Sequence, residues 1–545
     1  MGNKNIEFQS KKKNKRYYNA WVNNTTLEDY SLRYAPKSFR TMSEFLVANA
    51  AIGGTCFLAN FAIGGSIAIT AGFTNSFWAI VVSSVIVFMT GLPIAYYASK
   101  YNIDMDLLTR GAGFGYIGST ITSLVYASFC LIYFALEGAI LAQAFELYFH
   151  IPLPLGYLLG SIIIIPPVIF GVSFLAKLQV WTQPIWLILM IVPFFAVLIK
   201  EPNSWSNWLN FAGRSPSGSS FNPLLFGTAS GVVLSVIAQI GEQVDYLRFM
   251  PDETPENRSK WWLAVLLAGP GWIIFGGGEQ LAGAFFTSVN VTNGMDFTKA
   301  YEPVQMYVEA FKVISSNPAV YLTLATIFVI VCQIKINVTN AYSGSLSWSN
   351  FFSRITHSHP GRIVWLVFHV AVALLMMEFG IFHTLEWLLG FYANVAIAWI
   401  GALVADLVIN KPLGLSPPYI EFKRAHLYNF NPVGFGSMII ASIVSIIAFF
   451  GLMGTAAQAF STFIALGLAF VLSPIIAIIT QSNYYIARGN VYLSDHTEDA
   501  ELMTCCLCEL HYEKEDMAFC PVYDGSICSL CCSLDSDCHD ACKVM

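Results

Sequence analysis

The sequence predicts an all-helical membrane protein: twelve transmembrane helices followed by a small cysteine-rich, metal-stabilised tail. Three observations carry that expectation. Hydrophobic residues make up 56% of the 545 and charged residues only 11%, with a mean hydropathy of +0.59. A soluble chain carries about a quarter charged residues. Apolar runs that could cross a bilayer, which takes about 20 residues each, recur along most of the chain. Nine of the 12 cysteines lie after residue 500. The net charge of −6 is mild, and no basic patch with interleaved aromatics occurs, so nucleic acid is not an expected ligand.

The spans are expected near 45–71, 75–98, 117–147, 155–175, 178–199, 223–246, 261–287, 318–345, 362–382, 385–409, 433–454 and 459–482. Only Lys177 separates the fourth from the fifth. The start is too charged and too long for a cleavable signal peptide. Basic residues crowd the first 42 positions, among them Lys11, Lys12, Lys13, Lys15, Arg16, Arg33, Lys37 and Arg40. Arg248, Arg258, Arg354, Arg362, Lys411, Lys423 and Arg424 fall on the same side, whereas the loops at 148–154 and 455–458 carry no Lys or Arg. Positive charge stays inside, so both termini are expected to be cytoplasmic, in an integral protein of the inner or plasma membrane.

Three segments follow: a polar, loosely ordered cytoplasmic stretch at 1–42, the membrane domain at 43–484, and a cytoplasmic module at 485–545. The first span carries Gly53-Gly54 and Gly64-Gly65, and the sixth carries Gly227, Gly231 and Gly241. Gly-interrupted spans at matching places in two halves point to inverted repeats. Close helix packing would also place glycine there.

Polar residues inside the spans mark the candidate chemistry. The eighth span turns polar partway, with Lys335, Asn337, Thr339 and Asn340 within two turns. An intramembrane lysine needs a partner or a water-filled cavity. Lys335 could pair with a carboxylate such as Glu137, carry a proton, or act as a fixed positive charge in place of a bound cation. Glu137 lies mid-span, one turn after Tyr133. Together they offer an aromatic plate and a hydrogen-bond acceptor, which suits a flat heterocycle with N–H donors. A packing glutamate is the plainer alternative. In the sixth span, Gln239 is a ligand candidate and Asp245 with Arg248 reads as an interfacial ion pair. Glu279, His369, Glu378, Glu386 and Asp406 read as structural.

The tail offers the pairs Cys505/Cys508, Cys528/Cys531 and Cys538/Cys542, with Cys520, His511, Cys506, Cys532 and His539 in reserve. Two C-x-x-C pairs about twenty residues apart are a zinc signature. About forty residues build too small a core alone, so one or two zinc ions would supply the folding energy. An iron–sulfur cluster or palmitoylated cysteines are the alternatives.

From EDYSLRYAPKSFR before the first span, through LANFAIGGSIA within it, Tyr133 to Glu137, VDYLRF, NAYSGSLSWSN and ANVAIAWIGALVADLVI, residues 28 to 484 resemble the nucleobase–cation symporters of the purine–cytosine permease type. The resemblance implies a LeuT-like fold of five plus five inverted helices with two more. It implies a substrate site between spans one, three, six and eight, with Tyr133 and Glu137 at the base-reading positions. Asn337 or Asn340, the stretch Ser235 to Gln239, and Asn60 would complete that site. Sodium-coupled relatives bind the ion between carbonyls of the first span, here Gly53 and Cys56, and a hydroxyl pair of the eighth, which falls here on Lys335 and Ile336. An ammonium there excludes sodium by like-charge repulsion. The tail resembles linkers that join permease-like domains to signalling outputs. The expectation is a non-enzymatic transporter of a nucleobase-like heterocycle that is not sodium-coupled. The rival is a permease-like receptor that signals to a cytoplasmic partner through its tail.

Overall fold

The structure is a computed structural model, and it describes residues 15–24, 27–215, 217–380, 384–489 and 502–543. Helices stand at all twelve expected spans. Among the described residues, nine helices are long and apolar enough to cross a membrane by length and composition. The first of these, Leu58–Tyr101, holds the end of the first span and the whole second span, joined at Gly72 with φ +74°. A side chain at Gly72 would meet the carbonyl of Gly218 at 2.8 Å, so only glycine suits this turn. The fourth and ninth spans are the 17-residue helices Leu153–Ile169 and Arg362–Glu378. Large apolar side chains cover the outer surface, such as Trp181, Ile188, Phe195 and Ile199 of the fifth span, as lipid contact demands.

The fold is LeuT-like, with five-plus-five inverted repeats. Three pairs of spans five apart in the chain pack on each other. The second lies along the seventh (Arg258–Ala268 and Trp272–Thr292), the third (Gly118–Phe149) along the eighth (Pro318–Thr356), and the fourth along the ninth. The first and sixth spans are both broken midway. The first runs Glu44–Gly53, unwinds over 54–57, and resumes at Leu58. The sixth runs Pro223–Val233, tightens into the 3-10 segment Leu234–Gln239, and continues as Ile240–Leu247. Unwound backbone at membrane depth is tolerated where protein surrounds it.

Only one of the two glycine pairs expected to break the first span does so. Gly53-Gly54 ends the first half-helix, whereas Gly64-Gly65 stays helical. A Cβ at Gly64 would lie 1.8 Å from the Gln280 carbonyl oxygen, so this pair brings the first and seventh spans into backbone contact.

Within the N-terminal stretch, residues 28–35 are more ordered than expected. Glu28, Tyr30, Ser31, Leu32, Tyr34 and Ala35 are buried. Tyr30, Tyr34 and Ala35 pack against the membrane core, and Leu32 is covered by the tail. There, β1 (Met503–Thr504) pairs with β2 (His511–Tyr512), β3 (Met517–Cys520) pairs with β4 (Gly525–Cys528), and a helix, Ser529–Leu534, follows. Leu32 and Ala425 join the tail's own apolar cluster with Leu507, Met517 and Ile527. Arg33 Nε donates to Asp516 at 2.8 Å, the Tyr34 hydroxyl donates to Glu513, and Tyr116 Oη donates to the Ser533 carbonyl at 3.2 Å. Burial opposes the Arg33 charge, but Asp516 and Tyr512 outweigh it and hold its pKa above the ordinary value.

Candidate functional site

The two helix breaks and the third and eighth spans enclose a buried polar core. Glu137 Oε1 accepts from the backbone N–H of Ala59 at 3.0 Å. It thereby caps the second half of the broken first span, whose own start has no side-chain cap. A carboxylate suits that end, because unpaired N–H groups and the helix dipole favour negative charge there. Tyr133 Oη and Ser235 Oγ share a hydrogen bond of 3.0 Å, tying the third span to the 3-10 break of the sixth. The Tyr133 ring meets Phe57 edge-on at 5.6 Å and Phe129 at 4.6 Å. Asn340 Nδ2 donates to Asn337 Oδ1 at 3.2 Å, and Asn337 lies against Gly138, beside Glu137.

This core holds unused hydrogen-bonding capacity. Glu137 Oε2, both ends of the Gln333 amide, Asn340 Oδ1, Gln239 Oε1 and Glu242 Oε1 are buried without a hydrogen-bond partner. Buried polar atoms are nearly always paired, so such a concentration needs an explanation. Groups that read a polar ligand supply one. Gln333 and Glu242 were not singled out as ligands from the sequence.

Lys335 is fully buried on the opposite side of the eighth span. Its Nζ donates to the Gln179 carbonyl (2.9 Å), Thr182 Oγ1 (2.9 Å) and Gln183 Oε1 (3.2 Å), and it sits 5.8 Å from the Trp186 ring. Three donors therefore meet three neutral acceptors on the fifth span, Val172–Lys200. No carboxylate lies within ion-pair distance of Lys335 among the described residues, so it is not the partner of Glu137. The break in the first span backs onto the same acceptors. A Cβ at Gly53 would lie 2.7 Å from Gln179 Cβ and 3.2 Å from Gln183 Oε1. Cys56 Sγ donates to the Gly53 carbonyl at 3.3 Å. The half-helix Glu44–Gly53 thus ends beside the ammonium, and a helix C-terminus favours a cation.

The remaining residues expected at or near the site mostly fall elsewhere. Asn60 faces the seventh span, donating to Glu279 Oε2 at 2.9 Å and accepting from Gln280 Nε2 at 3.2 Å. Gln239 does stay at the core: its Nε2 donates to Glu242 Oε2 at 2.9 Å and its Oε1 is left over. Asp245 is not paired with Arg248. Tyr126 Oη donates to it at 3.0 Å, while Arg248 reaches Tyr342 Oη at 2.9 Å and Asp104 at 3.5 Å. Residues three apart share a helix face, so a pairing was open to them, but each is taken by a different neighbour.

In the tail, the sulfurs of Cys505, Cys508, Cys528 and Cys531 are buried and lie within 4.8 Å of one another. Four thiolates around zinc at ~2.3 Å sit close to this arrangement. The backbone N–H of Cys531 donates to Cys528 Sγ (3.3 Å) and that of Cys528 to Cys505 Sγ (3.4 Å), while Tyr18 Oη bonds Cys531 Sγ at 2.9 Å. Such second-layer donors stabilise metal-bound thiolates. Cys520, Cys538, Cys542, His511 and His539 are outside this group. His511 is exposed and shares its Nδ1 with Thr504 Oγ1 at 3.0 Å, and His539 is exposed on a turn.

No family model matches the chain, and no curated protein matches it. Solved structures do. A closed, bromovinylhydantoin-bound form of Mhp1, a nucleobase-cation-symport-1 family transporter, superposes with a TM-score of 0.61 at 18% identity, over 83% of this chain and 96% of that one. The inward-facing form of Mhp1 gives 0.58 at 16% identity, over 87% and 96%. A Na+-coupled sialic acid symporter in a substrate-bound outward-open state gives 0.56 at 13%, over 84% and 94%. At these identities the likeness is one of fold, and it places this chain in the architecture those transporters share.

Proposed function

We propose that this protein is a non-enzymatic membrane transporter for a nucleobase or related flat heterocycle, working by alternating access without sodium. The observation that carries the reading is the unpaired polar lining around Glu137, set between two broken helices of a transporter fold. The ligand's ring would lie against Tyr133, and Glu137, Asn337 and Asn340 would read its edge. Ser235 and Gln239 would close the site from the sixth span. Lys335, held beside Gly53 and Cys56, would stand where sodium-coupled relatives bind their ion.

Zinc fits the four-thiol group of the tail, and its contribution would be to fold the module. Both termini would then be cytoplasmic. Counterflow of labelled bases and hydantoins into proteoliposomes tests the proposal. Accumulation that is unchanged when sodium is replaced by choline is expected. A lack of flux with every compound would overturn it.

One observation favours a second reading, a receptor or regulated transporter signalling through its tail to a partner. The module is docked through Arg33, Tyr34 and Tyr116 against the segment that enters the first span and the start of the third. Saturable binding without flux would favour that reading.

A further inference from the structure

We propose a second metal centre in the tail, formed by Cys520, Cys532, Cys538 and Cys542 and taking one divalent, zinc-class cation. It rests on the reading that the tail is a metal-binding module, and it assigns cysteines that the first four-sulfur group leaves over. Those four residues line one cavity of about 10 Å³, together with Arg424, Asp535 and Asp540. That is room for about one water-sized sphere. Cys506 does not line it.

Backbone N–H groups lie near these sulfurs too, more loosely than the N–H···S hydrogen bonds of the first centre. The backbone N–H groups of Val522 and Tyr523 face the Cys520 sulfur, and that of Asp540 faces Cys538. Convergent N–H donors suit a metal-bound thiolate, since a thiol is a weak acceptor. Cys531 and Cys532 are neighbours on one helix, so their side chains diverge by about 100°. Consecutive residues can therefore serve two centres. The turn carrying Cys538 is already formed: Asp535 Oδ1 accepts from the N–H groups of Asp537 (2.9 Å) and Cys538 (3.0 Å).

Charge agrees with this assignment. Four thiolates around a divalent ion carry a net charge of about −2. Arg424 borders the cavity and Lys543 reaches Asp540 on its wall, and both bind oxygen and leave the sulfurs to a metal. Arg424 Nε reaches Asp540 Oδ1 at 2.9 Å and its Nη1 reaches the Cys532 carbonyl at 2.9 Å, while Lys543 Nζ lies 3.2 Å from Asp540 Oδ2. Among the described residues only the first set already has its sulfurs within 4.8 Å. The second set is more open, and a bound ion would draw it in. Asp540 also accepts from Asn429 Nδ2 at 2.9 Å, so this centre would anchor the end of the tail to the loop between the tenth and eleventh spans.

The test is the zinc content of the purified full chain, with mercurial titration of its thiols followed by a zinc-sensitive dye. We expect about two zinc ions per chain, released by about eight thiol equivalents. The C538S/C542S double variant should retain about one ion released by about four, and C506S should keep both. One ion in the wild type, or a C538S/C542S zinc content equal to wild type, overturns the second centre and leaves the first standing. Release of all zinc from the wild type by about four thiol equivalents does the same. A chain with no zinc overturns both. If C538S/C542S loses all its zinc through misfolding, the eight-against-four count on the wild type decides.

Discussion

The membrane core and the cysteine-rich tail both bury polar atoms, and they resolve that burial in opposite ways. Around Glu137 the polar groups converge and leave capacity unused: Glu137 Oε2, the Gln333 amide and Asn340 Oδ1 have no partner. Around Cys505 the four sulfurs converge to within 4.8 Å of one another, and backbone N–H groups back them. A site for a solute that arrives and leaves must keep some hydrogen bonds unmade. A site for a resident ion can complete its shell permanently. Lys335 belongs with the second kind, since all three of its donors are used by the fifth span.

The largest effect expected from this contrast is on the tail. The C505S/C528S variant, or exhaustive chelation, should unfold residues 502–543, because structural zinc supplies about 10–16 kcal/mol of apparent folding energy. Limited proteolysis should then cut within the tail while the membrane core still binds ligand. Cleavage throughout the core would show that the two regions fold as one.

Removing one partner of the buried Arg33–Asp516 pair comes next, since breaking such a pair costs about 3–5 kcal/mol. In Arg33→Ala, faster hydrogen exchange over 28–35 and over the tail is expected, and unchanged protection would deny that the two hold each other. Lys335→Met leaves three acceptors on the fifth span without a donor, at about 1–3 kcal/mol each where they stay dry. A lower melting temperature should result, and an unchanged one would place the ammonium in a looser setting. Glu137→Gln keeps the size but not the charge. It should weaken the cap on Ala59 by about 1 kcal/mol and shift which heterocycles bind. An unaltered binding profile would remove Glu137 from the site.

Much of the fold was legible because apolar runs of bilayer length leave few alternatives. The break at Gly53-Gly54 was legible too, whereas Gly64-Gly65 looked identical in sequence and turned out to be a packing contact. Lys335 announced itself as an expensive charge, yet its partners did not. Gln179, Thr182 and Gln183 sit at helical spacing on one face of the fifth span, and that polar stripe was the available signal. Asn60 could not be placed from sequence, because its direction depends on Glu279, more than two hundred residues away. The order in residues 28–35 was illegible for the same reason, since it comes from contacts with the membrane core and with a module at the far end of the chain.

The central claim is that the Lys335 ammonium stands in for a bound cation. The most direct measurement is equilibrium binding of a labelled base or hydantoin to the full chain in sodium chloride and in choline chloride. The account predicts affinities that agree within about twofold. A tenfold tightening in sodium, about 1.4 kcal/mol of coupling, would contradict it.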